Sequence, residues 1–442
     1  MRRMTCTLLA VCCAQLCAMA ALDDWPHWRG PQASGVSQET GLPLTWSAKA
    51  GVAWRISLQG AGVSTPVVWR NQVYLTTQTG AGVRREGSHP ALVQGADAAQ
   101  AGEKNLTGAT KAASVSFIVT AYRWSDGGVV WQHAVPAEGP LPAVHDKHNL
   151  ATPSPATDAD VVIGWFGTGQ IVALDHSGKR LWTKHLGREY APFDLQWGHS
   201  SSPVIYKETV ILVCYHGGSA SYVLALDKRT GAVKWKVDRP ATLVSYSTPL
   251  VIDGARGPEI LINTSAGLEA ISADTGEDRW RIVEDNRFPI PVATLDGGMI
   301  YTTRGYRSGP TLAIRVGGQG DVTASHVAWR VPTGAPYISS LVHYQGLIYT
   351  AGELGVVTCL DAKTGERVWQ ERAGGIFTAS PVAGDGRLYL VSETGETVVL
   401  KAGRTFEVLA RNPLDSHFVA SPAISRGRIF LRGDNELFAV GK

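Results

Sequence analysis

Short apolar runs rich in β-branched and aromatic residues recur in fours along most of the chain, bounded by Gly, Pro, Asp or Asn. One unit reads Ser201-Ser202-Pro203-Val204-Ile205, Val210-Ile211-Leu212-Val213, Tyr222-Val223-Leu224-Ala225-Leu226, then Val233-Lys234-Trp235-Lys236. Runs of this length and composition between turn residues predict β-strands. Units close on a shared phrase, clearest in Leu226-Asp227 … Thr230-Gly231 … Trp235 and Leu360-Asp361 … Thr364-Gly365 … Trp369. Looser copies are Leu174-Asp175 … Gly178 … Trp182 and Asp274-Thr275-Gly276 … Trp280, and a proline enters the first strand at Pro66, Pro155, Pro203, Pro249, Pro381 and Pro422. A repeat of roughly 40–50 residues made from four short strands predicts the blade of a β-propeller.

The repeated indole counts the blades. Trp54, Trp131, Trp182, Trp235, Trp280, Trp329 and Trp369 fall on successive outermost strands, with Phe406 near the eighth place. The chain ends on three strands of a blade, the last being Glu436-Leu437-Phe438-Ala439-Val440, and starts with an orphan, Val52-Ala53-Trp54-Arg55-Ile56. Pairing the two closes the ring and removes its free edges. The expected fold is all-β: an eight-bladed β-propeller over residues 51–442, its last blade closed by the N-terminal strand. The stretch from Trp54 to Trp131 is too long for one blade; its excess, residues 80–114, is rich in Ala, Gly, Thr and charge and reads as a mobile insertion from the first blade. Asp175, Asp227 and Asp361 recur at the hairpin between third and fourth strands, where a carboxylate accepts turn N–H groups and the glycine takes positive φ. They read as turn builders, not as a catalytic set.

The formal charge of +3 includes Arg2 and Arg3, and no basic stripe runs through the remainder. A nucleic-acid role, which needs a concentrated basic face, is excluded. Residues 1–20 read as an export signal: Arg2 and Arg3, an apolar stretch from Leu8 to Ala18, and a small-x-small site at Ala18-Met19-Ala20. The apolar run is too short to span a membrane. Cys6, Cys12, Cys13 and Cys17 lie inside it, but the residues before Cys12 and Cys17 fit a lipidated cysteine poorly, so a lipid anchor is the lesser reading. Export to the periplasm or the exterior is expected. Cys214 and Cys359 fall in distant blades and read as buried hydrophobes, not a disulfide.

In a propeller, ligands meet the ring where the innermost strands begin. Positions about four before each blade proline place His199, Tyr246, Phe288, Tyr337, Phe377 and Phe418 at that mouth, with Trp197 beside them. Such an arc suits stacking on a flat ring, a sugar or a peptide side chain; the same aromatics would also serve as a plug that excludes water. The loop His145-Asp146-Lys147-His148-Asn149 offers His145, Asp146 and His148, which with His199 form a candidate divalent-metal set, against the alternative of a solvated polar loop. The segment Trp25-Pro26-His27-Trp28-Arg29-Gly30-Pro31, within residues 21–50, is expected to pack over one face, with Arg29 free to meet a carboxylate or a ligand anion. No phosphate-cradling loop, zinc-protease helix or nucleophile elbow is present.

The Leu-Asp-x-x-Thr-Gly … Trp signature, over essentially all of 51–442, resembles the repeats of the pyrroloquinoline-quinone (PQQ) type propellers. That superfamily includes quinoprotein alcohol dehydrogenases and the propeller lipoprotein of the outer-membrane β-barrel assembly machinery. The chain is similar, more narrowly, to exported bacterial PQQ-like propellers, through Trp25 to Pro31, Asp321-Val322-Thr323 and Ala420-Ser421-Pro422-Ala423-Ile424. For that group the resemblance implies a fold and an export route. The dehydrogenase branch implies PQQ on the axis with Ca²⁺, an acidic base and often adjacent cysteines; beyond the leader this chain has no adjacent cysteines, and no residue matches the base or the metal ligands. The functional expectation is a non-catalytic binding or scaffold propeller of the envelope or exterior, a monomer or part of an envelope complex, that takes a protein or small ligand at the channel mouth. A PQQ- or metal-dependent oxidoreductase is the alternative, and carbohydrate binding the third reading.

Overall fold

A computed structural model describes residues 23–85, 106–107, 114–218, 220–306 and 308–442. The expected leader, residues 1–20, and most of the 80–114 stretch lie outside these residues. Eight antiparallel sheets, each a meander of four strands, follow one another along the chain. Their innermost strands are Val67–Trp69, Ala156–Thr157, Val204–Tyr206, Leu250–Gly254, Thr294–Asp296, Val342–Tyr344, Val382–Gly384 and Ala423–Ser425, numbered here as blades 1 to 8. Blade 8 takes its outermost strand, Val52–Ser57, from the other end of the chain, paired antiparallel with Glu436–Val440. The molecule is an eight-bladed β-propeller closed as its sequence predicts.

The repeated phrase explains how neighbouring blades lock. Trp54, Trp131, Trp182, Trp329 and Trp369 each donate an indole N–H to a carbonyl of the following blade's outer hairpin, at 2.9–3.1 Å. Beneath the indoles lie the hairpin glycines. A Cβ on Gly127, Gly178, Gly231, Gly276 or Gly365 would stand 2.6–2.8 Å from the ring of the preceding blade's Trp. Those glycines also hold φ between 72° and 85°, so the position demands glycine for conformation and for space. The hairpin aspartates build the turn: Asp227 Oδ1 accepts the N–H groups of Arg229 and Thr230 and the Thr230 hydroxyl.

Blade 7 departs from the expected pattern. In register, Ala410 occupies the tryptophan's place, opposite Val399, while Phe406 comes from the preceding loop and packs edge-on against Trp369. The missing indole arrives from the N-terminal segment. Tyr74, Tyr301 and Tyr349 pack on their own blades' Trp131, Trp329 and Trp369, and the matching Tyr389 stacks instead on Trp46, 6.4 Å away. Asn412 of the outer strand accepts the backbone N–H of Trp46 through its Oδ1 and so holds that residue in place.

The residue before each blade proline, or before Ala293 and Leu341 where blades 5 and 6 lack one, belongs to a belt around the axis that is Ser or Thr everywhere except Val292. Thr65 N–H donates to Ser154 Oγ, Ser154 to Ser202, and Ser202 to Thr248; Val292 then donates to Ser340, Ser340 to Ser380, and Ser380 to Ser421, all at 2.9–3.0 Å. Innermost strands diverge from the axis and cannot pair with each other, so at these six positions a hydroxyl from the next blade satisfies the N–H.

The N-terminal segment crosses the ring on the side of the inner turns. Trp25 pairs with Val68 and Val36 with Ala383; Asp24 accepts from Arg70 N–H, and Asp385 from Leu42 N–H. On the opposite side, the start of the 80–114 insertion forms a strand, Val83–Arg85, antiparallel to Leu106–Thr107 and parallel to Ala143–His145. Asp321-Val322-Thr323 has a structural place: Gly320–Asp321 adds a fifth, parallel strand to the outer edge of blade 4. Cys214 and Cys359 are buried and form no disulfide. Among the described residues no helix is long and apolar enough to cross a membrane.

Candidate functional site at the channel mouth

The axis opens into a cavity of about 580 Å³ lined by residues of every blade. Its wall follows from strand alternation. Positions three and one before each blade proline face the cavity (Thr152 and Ser154, Ser200 and Ser202, Tyr246 and Thr248, Thr378 and Ser380), and successive side chains point to opposite sides. The positions four before therefore turn away. Ala151, His199, Phe377 and Phe418 are fully buried and absent from the cavity wall. Counting four rather than three inverted the side of the strand.

Of the predicted mouth residues, Trp197, Tyr246, Phe288 and Tyr337 line the cavity, joined by Tyr306 from the inner hairpin of blade 5. Phe288 meets Tyr246 at 6.3 Å, Tyr306 at 4.9 Å and Trp197 at 6.4 Å, all edge to face. The arc spans blades 3 to 6. Phe377 and Phe418 belong to the core, the latter against Phe438. Trp28 enters from the opposite side and lines both this cavity and a smaller one of about 170 Å³ beneath it. Arg29 reaches neither. Its guanidinium is buried at positive φ and donates to the carbonyls of Ser34 and Leu341, both at 2.6 Å. Burial lowers it to about 9 from its usual value; through Leu341 it ties the N-terminal segment to blade 6.

The proposed metal set does not come together. His148 Nε2 lies 2.7 Å from Trp197 O and Nδ1 3.0 Å from Thr152 Oγ1. His145 Nδ1 is 2.8 Å from Asp146 Oδ1. His199 points between blades 2 and 3, against Trp165 at 4.2 Å, Phe193 at 5.1 Å and His216 at 5.5 Å. Burial first, and His216 second, hold its imidazole well below the usual range. Among the described residues no group of three His, Cys, Asp or Glu side chains is placed to hold a metal ion.

Sequence reasoning passed over the charged part of the wall. Glu353 and Glu393 stand at the inner hairpin tips of blades 6 and 7, Lys147 in the loop entering blade 2, and Arg287 in the loop entering blade 5, over the Phe288 ring. Glu353 accepts Ile338 N–H at 2.7 Å and Tyr337 N–H at 3.4 Å, and burial still keeps its carboxyl above the usual range. Glu393 accepts Lys147 Nζ at 2.8 and 3.0 Å and the Thr378 hydroxyl. The available signal was positional: the inner hairpins open toward the same side as the inner strands begin. A quinone with a divalent ion does not fit these residues. Both carboxylates already accept protein donors, and among the described residues neither belongs to a group of three side chains that could hold a metal ion.

The fold and site define a closed, eight-bladed propeller with an aromatic, charge-bearing cavity at one end of its axis. The PQQ-repeat family model described as outer membrane protein assembly factor BamB matches residues 115–288, 265–380 and 353–441. The chain belongs to that family. A curated relative, outer membrane protein assembly factor BamB of Yersinia pestis, is 27% identical over 296 residues, covering 61% of this chain and 68% of the relative. Among solved structures, BamB from Moraxella catarrhalis superposes with a TM-score of 0.58 at 15% identity, covering 88% of this chain and 98% of the other. Quinohemoprotein alcohol dehydrogenase from Comamonas testosteroni reaches 0.63 at 13% identity, covering 97% and 82%. A europium-containing methanol dehydrogenase also reaches 0.63, at 14% identity, covering 95% and 91%. At these identities the solved structures establish the fold alone.

Proposed function

We propose that this is a non-catalytic binding propeller, exported to the cell envelope, that seats a segment of a protein partner at the channel mouth. The observation that carries the reading is the chemistry of the cavity wall: an aromatic arc faces carboxylates that are already hydrogen-bonded to the protein, with no metal-holding group among the described residues. The aromatic rings, with the exposed Ile376 of the same wall, supply the apolar anchors that protein interfaces favour. The family match to an assembly factor supports the same reading.

The test is site-specific photocrosslinking in cells. A crosslinker at Ile376 or Leu354 captures one defined envelope protein, and Phe288→Ala abolishes the adduct; a crosslinker at Val130, on the outer rim of blade 1, does not capture it. Equal capture from mouth and rim refutes the proposal. The oxidoreductase alternative predicts stoichiometric PQQ retention with Ca²⁺ and dye-linked turnover, and neither is expected. A phosphatase fusion after residue 57 should be active only outside the cytoplasm.

A further inference from the structure

Glu393 is nearly buried, its side chain 8% exposed, and its counterion comes from across the mouth. Lys147 belongs to the loop between blades 1 and 2, whereas Glu393 stands on blade 7, so their ion pair is a chord over the channel. A desolvated carboxylate left alone is costly, and the tethered ammonium removes that cost in the free protein. The same neutralisation is available from any other cation that reaches the spot. Thr378 already orients the carboxylate through its hydroxyl. His417 Nε2 lies 3.7 Å away on the solvent side. Ile376, 37% exposed on the cavity wall, and Leu354, 54% exposed and next to Glu353 in the chain, offer apolar surface to the aliphatic stem of a long cationic side chain. The aromatic arc on the far wall favours cations over its ring faces.

We infer that Glu393, with Thr378 and the neighbouring Glu353, is a receptor for a lysine or arginine side chain of a partner peptide, and that Lys147 is the resident occupant this side chain displaces. The inference rests on the reading of the mouth as a peptide-binding site. Exchange of one cation for another leaves no bare buried charge, and a guanidinium meets the two carboxylate oxygens with two parallel N–H donors where the single Lys147 Nζ is shared between them. Lys147, 24% exposed, is released to water from the edge of the cavity.

The experiment uses fluorescein-labelled heptapeptides, Phe-rich and identical except for a central arginine, norleucine or glutamate, with binding followed by anisotropy. The wild-type protein is expected to prefer arginine. Lys147→Met, which removes the competitor, raises affinity for the arginine peptide on the order of tenfold and leaves the norleucine peptide within about twofold. Glu393→Gln removes the preference. Should that buried substitution unfold the protein, the Lys147→Met comparison decides alone. Unchanged or weaker arginine binding by Lys147→Met, indifference to the central residue, or no binding by any variant overturns the inference. Phe288→Ala separates the two claims. If arginine and norleucine peptides bind alike and both are lost in that variant, the mouth reading stands and the cation receptor falls. If Phe288→Ala changes nothing, both fall.

Discussion

Gly231 shows how much one position can carry. Its φ of 72° and the Trp182 indole 2.7 Å from where a Cβ would stand leave no room for alanine. Gly231→Ala should therefore destabilise by at least about 1 kcal/mol from backbone strain alone, with displacement of the indole added. Trp182→Ala should cost about 3–5 kcal/mol, the range for a large aromatic removed from a packed site. Denaturant titration measures both, and a neutral Gly231→Ala would sink the account of the motif. His216 makes a prediction in pH. Burial lowers its imidazole from 6.5 to about 3, with Phe193 at 4.2 Å. The unfolded chain therefore takes up the proton first as pH falls through 6.5, and folding stability is lost from there down to about 3, where the loss levels off. The slope is about 1.4 kcal/mol per pH unit for one such group. Melts between pH 7 and 4 should show a shallower slope for His216→Phe than for wild type; equal slopes refute it. Of these two sites, the Gly–Trp phrase was legible because it repeats. His216 occurs once, and its burial follows from which face of its strand meets blade 2.

At the scale of elements, alternation separated the correct site residues from the incorrect ones. Tyr246, three before Pro249, lines the cavity whereas Phe377 and Phe418, four before Pro381 and Pro422, pack inside blades, because register against the proline, not aromatic character, decides which way the residue points. Tyr337, in a blade entered by Leu341 instead of a proline, reaches the cavity from the same register as those two. The Ser-Pro pairs were legible as strand entries, but their hydroxyls were not legible as a belt. Each one bonds to a residue about one whole blade away in the chain, a partner no local pattern names. Ser202→Ala should leave the Ser154 N–H buried and unpaired. The expected cost is about 1–3 kcal/mol, read as a drop in melting temperature. Ala293 already lies in the core of blade 5, so the corresponding Val292→Ala, at the one belt position without a hydroxyl, should break no hydrogen bond of this kind and serves as the control. Similar losses in both variants, after allowance for the methyl groups removed from Val292, would refute the belt's contribution.

For the whole molecule, closure is the decisive event. Blade 8 is complete only when Val52–Ser57 pairs with Glu436–Val440, with Trp54 seated on the hairpin of blade 1. Deleting residues 51–57 should expose the edge of Glu436–Val440 and lower the melting temperature sharply, and a peptide spanning 51–58 added in trans should restore part of it. An unchanged melt would mean that closure contributes nothing. The N-terminal segment completes the same ring on a larger scale, since Trp46 stacks where blade 7 has only Ala410. By itself the sequence determined the class of fold, the number of blades and the mode of closure, because a repeated strand pattern with a periodic indole and an orphan strand admits one ring. Only the tertiary structure decided what the axis holds. The carboxylates of Glu353 and Glu393, the reach of Lys147 and the withdrawal of Arg29 and His199 depend on groups far apart in the chain meeting around a shared centre, and such a meeting leaves no local periodicity to read.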